Sequence, residues 1–343
     1  MFFNSTSSLA YVYGKPRVTG ILKQTFEDFQ VTENLSFTPS GDGEHVFLKI
    51  IKTNLNTLDV CQRISRHFNV HPRNVSYAGL KDKRAVTTQW FSFPFPVKSV
   101  VDLDGFESDG LKVKECTRNT RKLKRGAIQS NYFKITLRQL DGSIDEIDDK
   151  VNLIRQKGVA NYFGAQRFGH NESNRVNAVK MFSGKIRCNR NKRSLYLSAI
   201  RSYLFNEVLS QRIKENAWDE LCLGDVAVLN NSRSYFIVDE LTDDLLQRFK
   251  KGDIHPSAPL WGEGELCSMY SIKNLEEKII AAYPQLMEGL IQSGLQQDRR
   301  SIRLVMPDLT YQTLESELFV EFTLPSGSYA TSVLREIVDF SEQ

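Results

Sequence analysis

The sequence predicts an α+β protein in which a strand-rich first part is interrupted by a more helical segment and then resumed. Three observations predict it. Apolar residues alternate with a period of two in the first 156 residues, the signature of half-buried strands. From 157 to 303 the dominant pattern is an apolar stripe at helical spacing. From 304 to 343 the alternation returns. A chain of 343 residues suits two domains, here a discontinuous one (1–156 and 304–343) and an inserted one (157–303).

The elements follow in order. Phe29, Val31 and Glu33 alternate, as do Val46, Leu48 and Ile50, and each run reads as a strand. Leu58, Cys61, Ile64 and Phe68 fit one helical face, with Asn56 or Thr57 as N-cap. That helix must end before His71-Pro72, because proline disfavours helical backbone in the residue ahead of it. Thr87–Phe93 is strand-like, and Phe133, Ile135 and Leu137 give a further half-buried strand. Asp145 to Gln156 reads as a polar helix. An apolar helix from Ser194 to Ile213 carries Leu197, Ile200, Leu204 and Val208 on one stripe. The stretch from Ile254 through the glycines at 262 and 264 reads as a turn-rich loop, and Leu275 to Tyr283 as a helix ended by Pro284. Leu318, Val320, Phe322 and Leu324 alternate up to Pro325. A last helix places Ala330, Val333, Leu334 and Ile337 on one face with Ser328 as its cap.

Composition narrows the class. The chain is 41% hydrophobic and 25% charged, ordinary for a soluble globular protein. Cys61, Cys116, Cys188, Cys222 and Cys267 are isolated and form no C-x-x-C, which argues against structural zinc or a redox dithiol. Free thiols fit a reducing cytosol, so a cytoplasmic location is expected. No stretch reaches the roughly 18 apolar residues of a membrane span, and the opening Met-Phe-Phe-Asn-Ser lacks the basic and apolar regions of a signal peptide.

Net charge is only +4, too weak by itself to argue for nucleic acid. Its distribution says more. Lys112 to Arg138 holds nine Lys or Arg and one acid, Glu115, which leaves the rest of the chain net negative. Lys185 to Arg193 holds five cations and no acid. Basic segments in an otherwise mildly acidic protein are the electrostatic footprint of a phosphate-backbone partner, although solvated basic loops have the same composition. The side chains expected on RNA phosphates are Arg118, Arg121, Lys122, Lys124 and Arg125, with Arg190, Lys192 and Arg193 in the second cluster. Counterion release would make that binding fall steeply with salt.

The most informative segment is Tyr77-Ala-Gly-Leu-Lys-Asp-Lys-Arg-Ala-Val-Thr-Thr-Gln89. One acid, Asp82, sits among Lys81, Lys83 and Arg84. Nearby positive charge favours a carboxylate's charged form, and the same cations attract a polyanion. The setting suggests chemistry on a phosphate-bearing substrate; a salt-bridged surface loop is the other reading.

The residue order resembles the signature of the TruD family of tRNA pseudouridine synthases. Glu27-Asp-Phe-Gln-Val31 is similar to that family's Asp-Phe-x-Val element, and Asn131-Tyr-Phe133 to its Asn-x-Phe element. Asn161-Tyr-Phe-Gly-Ala-Gln-Arg-Phe-Gly169 resembles its Tyr-Phe-Gly-x-Gln-Arg-Phe-Gly stretch, and Pro325-Ser-Gly-Ser-Tyr-Ala-Thr331 its C-terminal Pro-x-Gly-Ser-Phe-Ala-Thr. Five motifs in the family's order are far more specific than any one.

The resemblance implies a discontinuous pseudouridine synthase domain with a mixed or antiparallel sheet, an inserted TRUD domain, and a cleft between them. It implies isomerisation of uridine to pseudouridine, at position 13 of tRNA, with no cofactor, no metal and no obligate protein partner. Asp82 is then the catalytic carboxylate, acting at C1′, at C6 of the base or on the 2′ proton. Phe29 and Phe133 become candidates to stack on or wall in a flipped base, although their strand parity equally suits core packing. Asn131 can pair with a uracil edge or orient Asp82. Lys23 and Lys81 join the substrate pocket. Tyr329 stands where the family more often has phenylalanine, and its added hydroxyl can bond the base, a backbone group or water. Gln166, Arg167 and Phe168 either touch substrate or buttress the cleft. Arg335 and Glu336 are a local pair or support the site.

Other readings are weaker. His67 and His71 have a metal-like spacing, but Pro72 follows and no Glu adjoins His67. Gly262-Glu-Gly264 lacks the rest of a nucleotide fingerprint, and no Gly-x-Ser-x-Gly elbow is present. The rival functions are an RNA-binding or folding protein without catalysis, a synthase acting on other RNAs, and a hydrolase of a small phosphorylated substrate.

Overall fold

A computed structural model of the chain describes residue 3 and residues 8–230, 232 and 234–342. The opening residues read above for a leader lie outside these, apart from Phe3. The chain begins with β1 (Thr19–Leu22), β2 (Phe29–Leu35) and β3 (His45–Thr53), then α1 (Thr57–His67). There follow β4 (Ser76–Tyr77), β5 (Val86–Pro94), β6 (Leu111–Asn119), β7 (Ile128–Asp141), α2 (Ile144–Lys157) and β8 (Val159–Ala160). The helical stretch holds α3 (Ser173–Phe182) and α4 (Arg190–Lys214), then β9 (Val226–Leu229), β10 (Tyr235–Ile237), α5 (Asp243–Lys250) and β11 (Ile254–Leu260). It continues with α6 (Tyr270–Ala281), α7 (Pro284–Gln292), β12 (Asp298–Ser301) and β13 (Arg303–Leu304). Last come β14 (Thr310–Leu314), β15 (Glu317–Pro325), α8 (Ala330–Leu334) and β16 (Asp339–Glu342).

The chain divides into two compact units. The sheet unit comprises Arg17–Glu146, Met306–Gly327 and Val338–Gln343; the helical unit comprises Met1–Pro16, Ile147–Val305 and Ser328–Ile337. Each unit is discontinuous in sequence. Residues 8–16 and 328–337 go with the helical unit, and the change between units comes at 147, inside α2. A buried carboxylate accounts for the grouping of the N-terminal segment with 328–337. Glu336 Oε2 accepts from Val12 N at 3.0 Å, while Arg335 donates to the carbonyls of Leu9 and Ala10 and lies over the Tyr11 ring. Arg335 and Glu336 therefore tie the N-terminal segment down within the helical unit.

In the sheet unit the strands run β14-β15-β7-β2-β5-β3-β6, with β1 on β7, β16 on β1 and β4 on β5. The pairs β2–β5 and β1–β16 are parallel and the others antiparallel, so the sheet is mixed. Alternation places Phe29, Val31 and Glu33 on the buried face of β2, and Leu318, Val320, Phe322 and Leu324 on that of β15. Helix α1 is capped as expected: Asn56 precedes it, and Asp59 Oδ2 accepts from Asn56 N at 3.1 Å. Its buried face is Thr57, Val60, Cys61 and Ile64, packed on Val46, Leu48 and Ile50 of β3. Leu58, which the stripe assigned to that face, is 54% exposed.

The helical unit is organised by α4, whose Leu197, Ile200, Leu204 and Val208 are all buried as the stripe predicted. The stretch opening at Ile254, read as loop, is instead the buried strand β11 between β9 and β12. Its Pro256 and Pro259 are turn residues by composition, yet Pro256 pairs with Ala227 and its carbonyl accepts from Ile302 N. The last helix is shorter than expected. It begins at Ala330 after Tyr329, without a side-chain cap from Ser328, and the chain ends in β16. Among the described residues no helix is long and apolar enough to cross a membrane.

Candidate active site

Strand topology builds the site in the sheet unit. Parallel pairing sets Gln30 of β2 against Val86 of β5, so the loop 78–85 that feeds β5 arrives beside the start of β2. On the other side of β2, antiparallel β7 sets Phe133 opposite Val31 and Asn131 opposite Glu33. Residues separated by as many as 110 positions, Lys23, Phe29, Lys81, Asp82, Asn131 and Phe133, thus belong to one neighbourhood.

The carboxylate of Asp82 is accessible, its side chain 42% exposed, and Oδ2 lies 3.5 Å from Lys23 Nζ. The Lys23 side chain is only 8% exposed, and Glu342 Oε2 approaches the same ammonium at 3.6 Å. Lys23 follows β1 with φ of 61°, a left-handed conformation that costs a non-glycine residue about 1 kcal/mol or more. From there its Nζ lies 4.5 Å above the centre of the Phe29 ring, a cation–π contact. Phe29 and Phe133 are both buried and meet edge to face with centroids 6.1 Å apart; Phe322 backs Phe133 at 5.5 Å. The Phe29 ring therefore lies beneath Lys23, packed on Phe133.

A second layer was not found in the sequence. Lys81 Nζ donates to Asn131 Oδ1 at 2.7 Å and makes an ion-pair contact with Glu33 Oε1 at 3.0 Å. Glu33 is fully buried, and its other oxygen accepts from Trp90 N at 3.0 Å. Burial raises the Glu33 carboxyl above its ordinary range, while the Lys81 charge and the Trp90 N–H pull it back. The signal was legible: a glutamate at the third position of the alternation Phe29, Val31, Glu33 had to face inward, and a buried carboxylate needs a partner. Lys81 thus occupies Asn131 Oδ1 and leaves Nδ2 as the donor end of the amide.

Side chains from three elements fix the loop itself. Gln89 Nε2 donates to Gly79 O at 2.6 Å, Thr57 Oγ1 donates to Gln89 Oε1 and accepts from Lys81 N, and Lys52 Nζ reaches the Asp82 carbonyl.

The other sequence-chosen residues fall as follows. Arg118 does not stand free for phosphate: its guanidinium donates to the carbonyls of Gly43, Phe95, Pro96 and Ser99 and so pins the loop after β5. Arg121, Lys122, Lys124 and Arg125 are exposed. The last three, with Arg73, rim a groove of about 560 Å³ floored by Leu58, Val75, Tyr77 and Leu123. Arg190, Lys192 and Arg193 are exposed on the first turn of α4 in the helical unit. Tyr329 also belongs to that unit, where its hydroxyl accepts from Arg167 Nε at 2.7 Å and its ring meets Phe163 at 5.9 Å. Arg167 thus buttresses Tyr329, Phe168 is buried, and Gln166 is exposed. Gly164 is required there, since a Cβ would come within 2.9 Å of the Tyr329 ring. The two histidines show no shared ligation: His67 Nε2 faces Asp102 O and His71 Nδ1 accepts from Arg73 N.

Known proteins match this chain over almost its whole length. The family model described as tRNA pseudouridine synthase D (TruD) matches residues 6–186 and 176–337. The chain belongs to the TruD family. The tRNA pseudouridine synthase D of Methylococcus capsulatus is 44% identical over 98% of this chain and 95% of its own length. That of Colwellia psychrerythraea is 40% identical over 97% and 93%. The fold agrees with the crystal structure of a TruD protein from Methanosarcina mazei, with a TM-score of 0.71 at 20% identity over 96% of this chain and 95% of that one. TruD proteins are pseudouridine synthases, so the chain is an isomerase of that class.

Proposed function

We propose that this pseudouridine synthase acts on the uridine at position 13 of tRNA, with Asp82 as the carboxylate working at the sugar–base junction. The observation that carries the reading is the accessible Asp82 carboxylate 3.5 Å from the buried Lys23 ammonium. Isomerisation breaks N1–C1′, turns the uracil and joins C5 to C1′. Attack at C1′, attack at C6 and removal of the 2′ proton all call for a carboxylate at that junction. Lys23 supplies fixed positive charge beside it, and the Phe29 ring, packed on Phe133, lies beneath that ammonium. Asn131, oriented by Lys81, offers an N–H to a uracil carbonyl. The target must leave its stack to be reached. A cytoplasmic setting follows from tRNA as substrate.

The test uses unmodified tRNA transcripts with no added cofactor. One pseudouridine should form at position 13, and none when that position is cytidine. Product elsewhere, or in other RNAs only, would favour a synthase of different target; tight binding without product would favour a folding or binding protein.

The basic groove gives a separate prediction. Lys122→Glu, Lys124→Glu and Arg125→Glu together should weaken tRNA binding by at least about tenfold and lower the salt slope by about 2–3, since each phosphate contact contributes about 1. Turnover at saturating tRNA should stay at the wild-type value. Unchanged affinity and slope would remove the groove from the RNA path.

A further inference from the structure

Lys52 is the least expected charge in the sheet unit. It lies on β3 with no exposed surface, paired across to Thr87 of β5 and Leu111 of β6. A buried ammonium is costly unless its donors are matched. Here Nζ donates to Leu55 O at 2.7 Å and to Asp82 O at 2.9 Å. The first carbonyl lies just ahead of the α1 cap. The second belongs to the residue assigned to the chemistry. The other anchors on the same loop are neutral: Gln89 on Gly79 O and Thr57 on Lys81 N. Lys52 is thus the charged side chain holding the Asp82 main chain, and a charge-assisted bond is roughly twice as strong as a neutral one.

We propose that Lys52 is a positioning residue for the reaction: its buried ammonium holds the Asp82 carbonyl and so fixes where the Asp82 carboxylate points. The proposal rests on the reading of Asp82 as the catalytic acid. It assigns Lys52 no contact with substrate. Its effect should therefore fall on turnover and spare binding, because a displacement of about 1 Å at a reacting group can cost about 10²-fold.

The surroundings make the clamp sensitive to pH. Burial lowers the Lys52 ammonium from the ordinary lysine value to about 8. The charged groups facing it are Asp82 and Lys81 from the loop, Glu33 from β2 and Asp59 from α1. Asp82, Glu33 and Asp59 favour the ammonium, and Lys81 opposes it, but desolvation outweighs them. The sign is fixed by this direction. Below about pH 8 the ammonium is charged and the clamp is strong; as pH rises through that value the charge is lost and the bond to Asp82 O weakens.

The experiment measures single-turnover pseudouridine formation and tRNA affinity across pH for wild type, Lys52→Met, Lys52→Arg and Asp82→Asn, each checked for a cooperative melt. The wild-type rate should fall above about pH 8, and Lys52→Met should lose about 10²-fold in rate at neutral pH with tRNA affinity kept and no such limb remaining. Lys52→Arg, which keeps its charge, should move the limb upward. A limb left in place in Lys52→Met, or a neutral-pH rate equal to wild type, overturns the proposal. Should neither variant fold, a wild-type rate flat from about pH 7 to about 9.5 overturns it and a fall above about pH 8 supports it. Activity retained in Asp82→Asn would instead overturn the reading of Asp82, a failure that the Lys52 variants do not produce.

Discussion

Asp82→Asn is expected to lower pseudouridine formation by at least about 10⁴-fold while leaving tRNA affinity within about threefold of wild type. Asparagine matches aspartate in size, and the Lys52 contact is to the main-chain carbonyl, so the loop should keep its place. The side chain is 42% exposed and makes its ion pair at 3.5 Å, an arrangement worth little stability. The melt should therefore shift by no more than a surface substitution does, within about 0.5 kcal/mol. What the amide cannot do is supply a carboxylate to C1′, C6 or the 2′ proton. Loss of turnover with binding and stability retained would assign the chemistry to this group. Full turnover would move the search to the other carboxylates of the neighbourhood. Glu342 shares Lys23 at 3.6 Å, whereas Glu33 is fully buried and paired with Lys81, which makes Glu342 the next candidate.

How much of this was legible beforehand depends on the kind of signal. Short-range patterns held. The alternation at Phe29–Val31–Glu33 and at Leu318–Leu324 became β2 and β15, and the stripe on Leu197, Ile200, Leu204 and Val208 became α4. Periodicity could not find β11, because a fully buried strand has no alternation to display and its two prolines imitate a loop. Nor could it find that the N-terminal segment groups with 328–337, a grouping held by Glu336 and Arg335 reaching residues more than 300 positions away. Charge alone does not separate the exposed Lys122, Lys124 and Arg125 from half-buried Arg118, whose four carbonyl partners come from two loops. Burial, not composition, separates a cation that meets solvent from one that holds a fold together. Of the supporting layer of Glu33, Lys52, Thr57 and Gln89, only Gln89 lies in a quoted motif. Only the parity of Glu33 and Lys52 on their strands pointed inward, and parity says that a charge needs a partner without saying which.

Lys81→Met should destabilise the sheet unit by about 3–5 kcal/mol and also cost activity, and the two losses should be separable. Breaking a buried pair by removing one partner leaves the other charge uncompensated, which is far worse than lacking the pair altogether. After Lys81→Met, Glu33 keeps only the Trp90 N–H and the more distant Lys52 charge. Its carboxyl, already raised by burial, then rises further and takes up a proton more readily. The sign for stability follows. With its folded value above its unfolded one, ionised Glu33 is a cost to folding that appears as pH rises through the ordinary carboxylate range, so the variant should recover stability on acidification. Adding Glu33→Gln should restore much of that stability at neutral pH, because a neutral amide of the same shape can still accept from Trp90 N. It should not restore turnover, since Asn131 has lost the ammonium that fixed which end of its amide faces outward. Melting curves with single-turnover rates on the four members of this double-mutant cycle decide the matter. Recovery of both stability and rate in the double variant would make Glu33 and Lys81 a purely structural pair. Recovery of stability alone would make Lys81 the residue that sets the polarity of Asn131 toward the base.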